Sequence, residues 1–121
     1  MIELKRDLVK YIRDRAKSKY KKGTECYICG EMSNLDFHHF YSLSPLLYKW
    51  VKTHKKKPED VLDFRDEFIQ EHSAELYEHT TTLCHAHHLK LHSIYGKDPS
   101  LATAKKQKNW VEIQRNKHGL V

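Results

Sequence analysis

The sequence lacks any long hydrophobic run, and no segment approaches the roughly 18 apolar residues of a membrane-spanning helix. The charged start, apolar stretch and cleavage site of a secretory signal are also missing. Neither an internal repeat nor a low-complexity linker is present, so the 121 residues are expected to form one small domain. These absences argue against membrane and secreted proteins, and we expect a cytoplasmic protein.

Cysteine is scarce, and its odd count of three cannot be satisfied by disulfides alone. The chain has a C-x-x-C pair, Cys26 and Cys29, and much later a C-x-x-H pair, Cys84 and His87. Two such pairs have the spacing of a tetrahedral zinc knuckle. We therefore predict a structural Zn²⁺ on these four residues, which would help to hold so small a core. A disulfide or a redox pair of Cys26 and Cys29 is the alternative, although neither explains Cys84 and His87.

Histidine, in contrast, is abundant, and four of the ten cluster in the segment that carries the third cysteine. His88 and His92 stand four residues apart, so on a helix both rings lie on one face. A second pair, His38 and His39, lies in the apolar run 35–40, which is typical of a strand. Adjacent strand residues point to opposite faces, so we expect a bend or loop there if both serve one site. Two surface histidines on an edge strand are the alternative.

Positive charge is unevenly distributed along this chain of net charge +6. Basic residues concentrate in residues 1–23, 49–57 and 97–118, and acidic residues in 59–78. Basic segments that flank the histidines suit a nucleic-acid phosphate backbone, although any one of them could be a solvated helix face. The candidate nucleic-acid-binding residues are Lys5, Arg6, Arg13, Lys17, Lys90, Lys105, Lys106 and Lys108.

Hydrophobic periodicity and capping signals predict an α+β fold that is mainly helical. Ser44 and Pro45 have the pattern of an N-cap followed by a first helical residue. Trp110 and Ile113 are expected to form the packing face of the last helix. The predicted helices are 3–20, 44–55, 58 to a break near 73, 85–95 and 98–116, and the predicted strands are 35–40 and 80–83.

The order of these motifs resembles the HNH endonucleases, the zinc-knuckle branch of the ββα-metal (His-Me finger) nucleases. The resemblance covers residues 26–40 and 79–92, about a quarter of the chain, and depends on several spacings agreeing at once. It implies a single HNH nuclease domain, 1–121, with these parts: a basic N-terminal helix (1–23), a ββα-metal core with the knuckle (24–40 and 79–96), a helical insertion (41–78) and a basic C-terminal helix (97–121).

The resemblance also implies roles for individual histidines. His38, His88 and His92 would bind one catalytic divalent ion, and His39 would be the general base. The family has an asparagine where this chain has His79, so the catalytic role expected for His79 departs from the pattern: an imidazole could hold the base by a hydrogen bond or could ligate metal. Imidazole ligands suit Zn, Ni and Co better than Mg, so Mn, Co or Ni are expected to support activity better than Mg.

We therefore predict a metal-dependent endonuclease that hydrolyses phosphodiester bonds in DNA. The substrate is expected to be double-stranded DNA read with weak sequence preference, and chains of this size resemble phage or mobile-element enzymes. Activity should rise through roughly pH 6 to 8 as a histidine base loses its proton. Cutting both strands would be easier for a homodimer, but the sequence shows no recognisable dimer interface. The alternatives are a non-catalytic, zinc-stabilised DNA-binding module with one zinc per chain, and a nuclease acting on RNA or structured nucleic acid.

Overall fold

The computed structural model describes residues 8–119, and within them the fold is mainly helical with one two-stranded sheet, as predicted. No helix in this range is both long and apolar enough to cross a bilayer. The helices and strands are α1 (Leu8–Ala16), β1 (Leu35–His39), α2 (Leu43–Thr53), α3 (Val61–Glu71), β2 (Thr80–Cys84), α4 (His85–Tyr95) and α5 (Ala104–Lys117). The shorter turns are 3₁₀ at Lys17–Lys19, Pro58–Asp60 and Leu101–Thr103, and π-helical at Ala74–Glu78.

The two strands pair antiparallel, with Leu35 opposite Cys84 and His39 opposite Thr80. Helix α4 follows β2 without a loop, because Cys84 is both the last strand residue and the N-cap of the helix. The predicted order of strand, strand and helix is therefore present. Helices α2 and α3 lie between the two strands in sequence, where the helical insertion was expected.

A first buried cluster joins α1 to the insertion. The apolar residues of α1 recur every three to four positions, so they form one face that packs against α2 and α3. Arg15 on α1 also donates from Nε to Asp66 Oδ1 on α3 at 3.0 Å, which pairs a basic with an acidic helix. The insertion thus covers the first helix. The cluster contains Leu8, Val9, Ile12, Leu43, Leu46, Leu47, Trp50, Val51, Val61, Phe64, Phe68 and Leu76.

A second buried cluster lies between the cysteine turn, the sheet, α4 and α5. Ile28, between the two cysteines of the turn, is fully buried in it. Tyr41, just after β1, packs against both clusters and connects them. The members of the second cluster are Cys26, Ile28, Phe40, Leu83, Cys84, Leu91, Ala104 and Val111.

The structure corrects two predictions near the start of the chain. The first α-helix ends at Ala16, and the last turn of the predicted helix 3–20 is a 3₁₀ extension that ends at Lys19. The cap of α2 is Ser42 and not Ser44, since the helix already begins at Leu43. Pro45 is tolerated there because the first turn of a helix has no internal partners for its N–H groups. The predicted segment 3–7 lies outside the described residues.

The packing face of the last helix was predicted only in part: Trp110 packs against the second buried cluster, as expected, but Ile113 does not. Ile113 is 45% exposed, and the buried face of α5 is Ala104, Gln107 and Val111, spaced by three and four. A buried glutamine broke the apolar pattern from which that face was inferred. This placement of Gln107 bears directly on the histidine cluster described below.

Candidate active site and metal centres

The four predicted knuckle residues converge, with all four ligand atoms within 4.8 Å of one another. Cys84 Sγ lies 3.9 Å from Cys29 Sγ and 3.2 Å from His87 Nδ1, and Cys26 Sγ lies 3.9 Å from the same nitrogen. A tetrahedral ion at the usual zinc distances would space two sulfurs by about 3.8 Å and a sulfur and a nitrogen by about 3.6 Å. The observed spacings fit such an ion, and all three thiols are free in the structure.

The electrostatics of the cysteine turn also favour a cation. The pKa of Cys26 is lowered: burial alone would raise it, but hydrogen bonds from backbone N–H groups, including those of Ile28 and Cys29, outweigh burial. Burial, with further contributions from hydrogen bonding to Cys26 and from its charge, raises the pKa of Cys29 to about 11. A coordinated divalent ion would relieve this conflict, because it deprotonates the thiols that bind it.

A separate group of possible metal ligands, the histidine cluster, comprises His38 on β1 and His88 and His92 on α4. These are the three histidines predicted to share one metal. His88 Nε2 lies 3.2 Å from His38 Nδ1 and 3.0 Å from His92 Nε2. Neighbouring nitrogens in a tetrahedral site at zinc distances are about 3.3 Å apart. Helical spacing of four brings the two α4 rings together, and strand pairing with β2 brings His38 to them.

The orientation of two of these rings is fixed by hydrogen bonds to groups outside the cluster that can only accept. His88 Nδ1–H donates to the carboxylate of Asp36 at 3.1 Å, and His92 Nδ1–H donates to the carbonyl of Gly96 at 2.7 Å. Each bond places the proton on the outer nitrogen and leaves the Nε2 lone pair facing the centre of the cluster. Metal-binding histidines are commonly oriented in this way.

Burial keeps the ring of His38 neutral. This side chain is 2% exposed, and burial lowers its pKa to about 3, against the opposing effect of the hydrogen bond with Gln107 and with weaker help from the neighbouring histidines. Burial lowers the pKa of His88 as well, against the opposing effect of Asp36. Since only neutral imidazole can ligate metal, the two groups are in their ligating form at neutral pH.

His39 ends β1 with its ring turned to a different partner. Its Nε2–H donates to the main-chain carbonyl of Leu76, in the π-helical turn, at 3.0 Å. This bond leaves Nδ1 as the nitrogen that can accept a proton. The ring packs edge-on against Tyr20 and Phe37. Burial lowers its pKa, the hydrogen bond with Leu76 opposes this, and Arg13 adds a smaller lowering effect.

The metal-cluster histidines and His39 open onto one cavity of about 200 Å³. The bend predicted between His38 and His39 is absent, since both residues lie within β1 and pair with Thr81 and Thr80. The cavity adjoins the end of the strand, where side chains from both faces of the sheet can reach it. It is lined by Arg13, Phe37, His38, His39, Ser42, Leu43, His88, His92, Lys97 and Asp98.

His79 is not among the described residues that line this cavity. Its Nδ1 accepts a hydrogen bond from Lys108 Nζ at 2.9 Å, and both side chains line a separate cleft of about 510 Å³. Its main chain does support the end of β1, because Phe40 N–H donates to the His79 carbonyl at 3.1 Å. The hydrogen bond that orients the ring of His39 is accepted by the Leu76 carbonyl instead.

The predicted nucleic-acid-binding residues fall into three groups. Arg13 lines the histidine cavity, and Lys108 lies beside His79. Those fully on the surface are Lys17, Lys90, Lys105 and Lys106. Lys5 and Arg6 lie outside the described residues.

Sequence reasoning missed the groups that hold the histidine rings. Asp36 could have been found, because it lies two residues before His38 on the same strand face. Gln107 gave only a weak signal, a polar residue within the apolar spacing of a helix. The Leu76 carbonyl gave none, since a main-chain atom has no residue-type signature.

No solved structure matches the chain. A protein-family model, that of the phage T5 nicking endonuclease and described as the nicking endonuclease family, matches residues 2–119. This match extends over both histidine elements, the cysteine turn and the helical insertion, and so over nearly the whole sequence. The chain therefore belongs to the nicking endonuclease family, whose members are nucleases that act on DNA.

Proposed function

We propose that this protein is an HNH endonuclease that nicks double-stranded DNA with weak sequence preference. His39 is the general base, and His38, His88 and His92 hold one catalytic divalent ion. Cys26, Cys29, Cys84 and His87 hold a structural zinc ion. The observation that carries this proposal is that His39, the three inward-facing rings and Arg13 share one cavity.

The residues divide the reaction between them. His39 accepts the proton of the attacking water at Nδ1, because Nε2 is engaged with the Leu76 carbonyl. Arg13, in the same cavity, offers a guanidinium to the negative charge that accumulates on the phosphate. When bound to His38, His88 and His92, the divalent ion supplies Lewis acidity for the phosphate and the leaving oxygen.

The surrounding basic groups would bind the flanking DNA backbone. Lys90 on α4 and Lys105 and Lys106 on α5 are exposed, as phosphate contacts must be. For His79 we propose a supporting role: its main chain holds the end of β1, and its ring positions Lys108 at the neighbouring cleft. One set of three histidines per chain suits the cutting of one strand, so no homodimer is required. Three free thiols suit a reducing, cytoplasmic compartment.

The acid limb of the pH profile is expected below the pKa of about 6.5 of an unperturbed histidine. A general base works only when deprotonated, and burial lowers the pKa of His39, so the active form persists to lower pH. The range of pH 6 to 8 expected from the sequence thus shifts downward. The measurement is kcat/KM for nicking from pH 4.5 to 8.5 at saturating metal, with metal occupancy measured at each pH. A limb centred at or above pH 7 at full occupancy would contradict this assignment.

The metal requirement tests the proposed function as a whole. After a mild chelator treatment that leaves zinc in the knuckle, Mn²⁺, Co²⁺ and Ni²⁺ are expected to restore nicking of supercoiled plasmid better than Mg²⁺ does. Three imidazoles and no carboxylate form a poor site for an ion that prefers oxygen ligands. The readout is conversion of supercoiled to open-circular DNA at equal concentrations of each metal. A clear preference for Mg²⁺ would refute the three-histidine site.

The same assay separates the remaining alternatives. A zinc-stabilised binding module would bind DNA and carry one metal ion per chain. It would not cleave DNA, whichever metal is added. A nuclease for RNA or structured nucleic acid would cut such competitors in preference to plasmid. Membership of the nicking endonuclease family favours DNA cleavage over both.

A further inference from the structure

We propose that Gln107 on α5 is a positioning residue of the catalytic metal centre: it holds His38 in the tautomer that turns its Nδ1 lone pair toward His88 and His92. The inference rests on the proposed function and extends it to a residue outside the strand, strand and helix. Gln107 has no exposed surface, and its Oε1 accepts the hydrogen bond from His38 Nε2 at 2.8 Å.

The contacts of the Gln107 amide show which of its ends, the oxygen or the NH₂ group, faces His38. Gln107 Nε2 faces the main-chain carbonyl of Phe40 at 3.3 Å and Thr103 Oγ1 at 3.0 Å. The Phe40 carbonyl can only accept, and the Thr103 hydroxyl already donates to the Ser100 carbonyl at 2.7 Å. Both partners therefore require the NH₂ end of the amide, and the oxygen must point at His38.

The tautomer of His38 follows in turn. An amide oxygen is an acceptor only, so His38 must carry its proton on Nε2, and Nδ1 is left as the lone pair. That nitrogen lies 3.2 Å from His88 Nε2, on the inner side of the cluster. Two main-chain carbonyls, those of Phe40 and Ser100, thus determine through Gln107 which nitrogen of His38 can bind metal.

The partner of His38 differs in kind from those of the other two ligands. His88 is held by the partly exposed carboxylate of Asp36, and His92 by the carbonyl of Gly96. His38 is the most buried of the three, and a neutral amide satisfies its N–H there without burying a charge. An apolar residue at this position would leave that N–H without its partner.

Two substitutions of similar length separate positioning from packing. Gln107→Met keeps the volume but removes the acceptor, whereas Gln107→Glu keeps an acceptor at the same distance along the side chain. Asn109→Met, which removes an exposed amide from the same helix, is the matched control. Co²⁺ binding is measured by calorimetry on protein that retains zinc in the knuckle. Zinc content and thermal melting are recorded for each variant. Long-range ¹H–¹⁵N NMR reports the imidazole tautomers before Co²⁺ is added.

We expect Gln107→Met to bind Co²⁺ about 10–100-fold more weakly, as is typical when the partner of a metal-binding histidine is lost. The His38 signal should change from the Nε2–H tautomer to a mixture in this variant. Gln107→Glu should stay within about threefold of the wild type, and Asn109→Met should match it.

Co²⁺ affinity of folded Gln107→Met within twofold of the wild type, or equal loss in the Met and Glu variants, would overturn the proposal. If Gln107→Met does not fold, the wild type and Gln107→Glu decide. A wild-type His38 tautomer other than Nε2–H would overturn the proposal. The Nε2–H tautomer in the wild type, together with tight Co²⁺ binding by Gln107→Glu, would support it. Failure of the proposed function is distinct, because wild-type protein would then bind no Co²⁺ beyond the knuckle or would bind it without nicking DNA.

Discussion

Replacing His39 by alanine is expected to lower the rate of plasmid nicking by about 10²–10⁴-fold, the usual contribution of a general base. The affinity for DNA and for the second metal ion should hardly change. His39 is not part of the three-nitrogen cluster, and its outer hydrogen bond goes to a main-chain carbonyl that water can also satisfy. Single-turnover nicking rates, DNA affinity and metal stoichiometry are measured on the same preparations.

His54→Ala is the matched control, because it removes an exposed imidazole from the end of α2. It should nick DNA at the wild-type rate. Free imidazole in the buffer should restore part of the activity of His39→Ala, since the substitution opens space beside the cavity. If His39→Ala loses DNA binding and nicking in parallel, His39 is a structural residue and the assignment of the base is wrong.

Replacing Cys84 by serine is expected to prevent stable folding. Cys84 is at once a member of the cluster of three cysteines and His87, the strand partner of Leu35 and the N-cap of the helix that carries His88 and His92. Structural zinc contributes about 10–16 kcal/mol of apparent binding free energy in zinc-finger peptides, which is comparable to the whole stability of a small domain. Circular dichroism, thermal melting and zinc content should all show the loss, and nicking should disappear with them.

Ala86→Ser is the control, since it places a hydroxyl at an exposed neighbouring position of the same turn. It should retain zinc, melting temperature and activity. A strong zinc chelator should unfold the wild type as Cys84→Ser does. Cooperative unfolding of Cys84→Ser at the wild-type temperature, with no zinc bound, would show that the cluster is not a structural metal site.

Much of the candidate site could be predicted from the sequence, because metal ligands leave local signatures. Cys84 and His87 lie one helical turn apart, and so do His88 and His92, so each pair had to share a face once α4 formed. The C-x-x-C pair makes its own tight turn. Local spacing therefore predicted the pairs, the family resemblance added His38 to His88 and His92, and the structure brings the members of each group together.

The strands and most helices were predicted for a related reason. Periodicities of two and of about 3.6 residues depend only on the backbone, and they survive in a single sequence. The errors occur where two residues fit the same signal or where a buried residue is polar. The cap of α2 was predicted two residues too late because Ser42 and Ser44 are both good caps. The face of α5 was predicted only in part, through Trp110, because its central buried residue is polar.

Local spacing in the sequence was enough to indicate the candidate cysteine–histidine knuckle, the strand and helix order around it and the basic character of the flanking segments, and the family resemblance added the candidate set of three histidines. Only the tertiary structure decided which nitrogen of each ring faces inward, which group orients His39 and where His79 lies. Those outcomes depend on Gln107, on the Leu76 carbonyl and on Lys108, which come from elements distant in sequence. Hydrogen bonds between distant elements follow from how the two buried clusters pack together, and no local spacing records that packing.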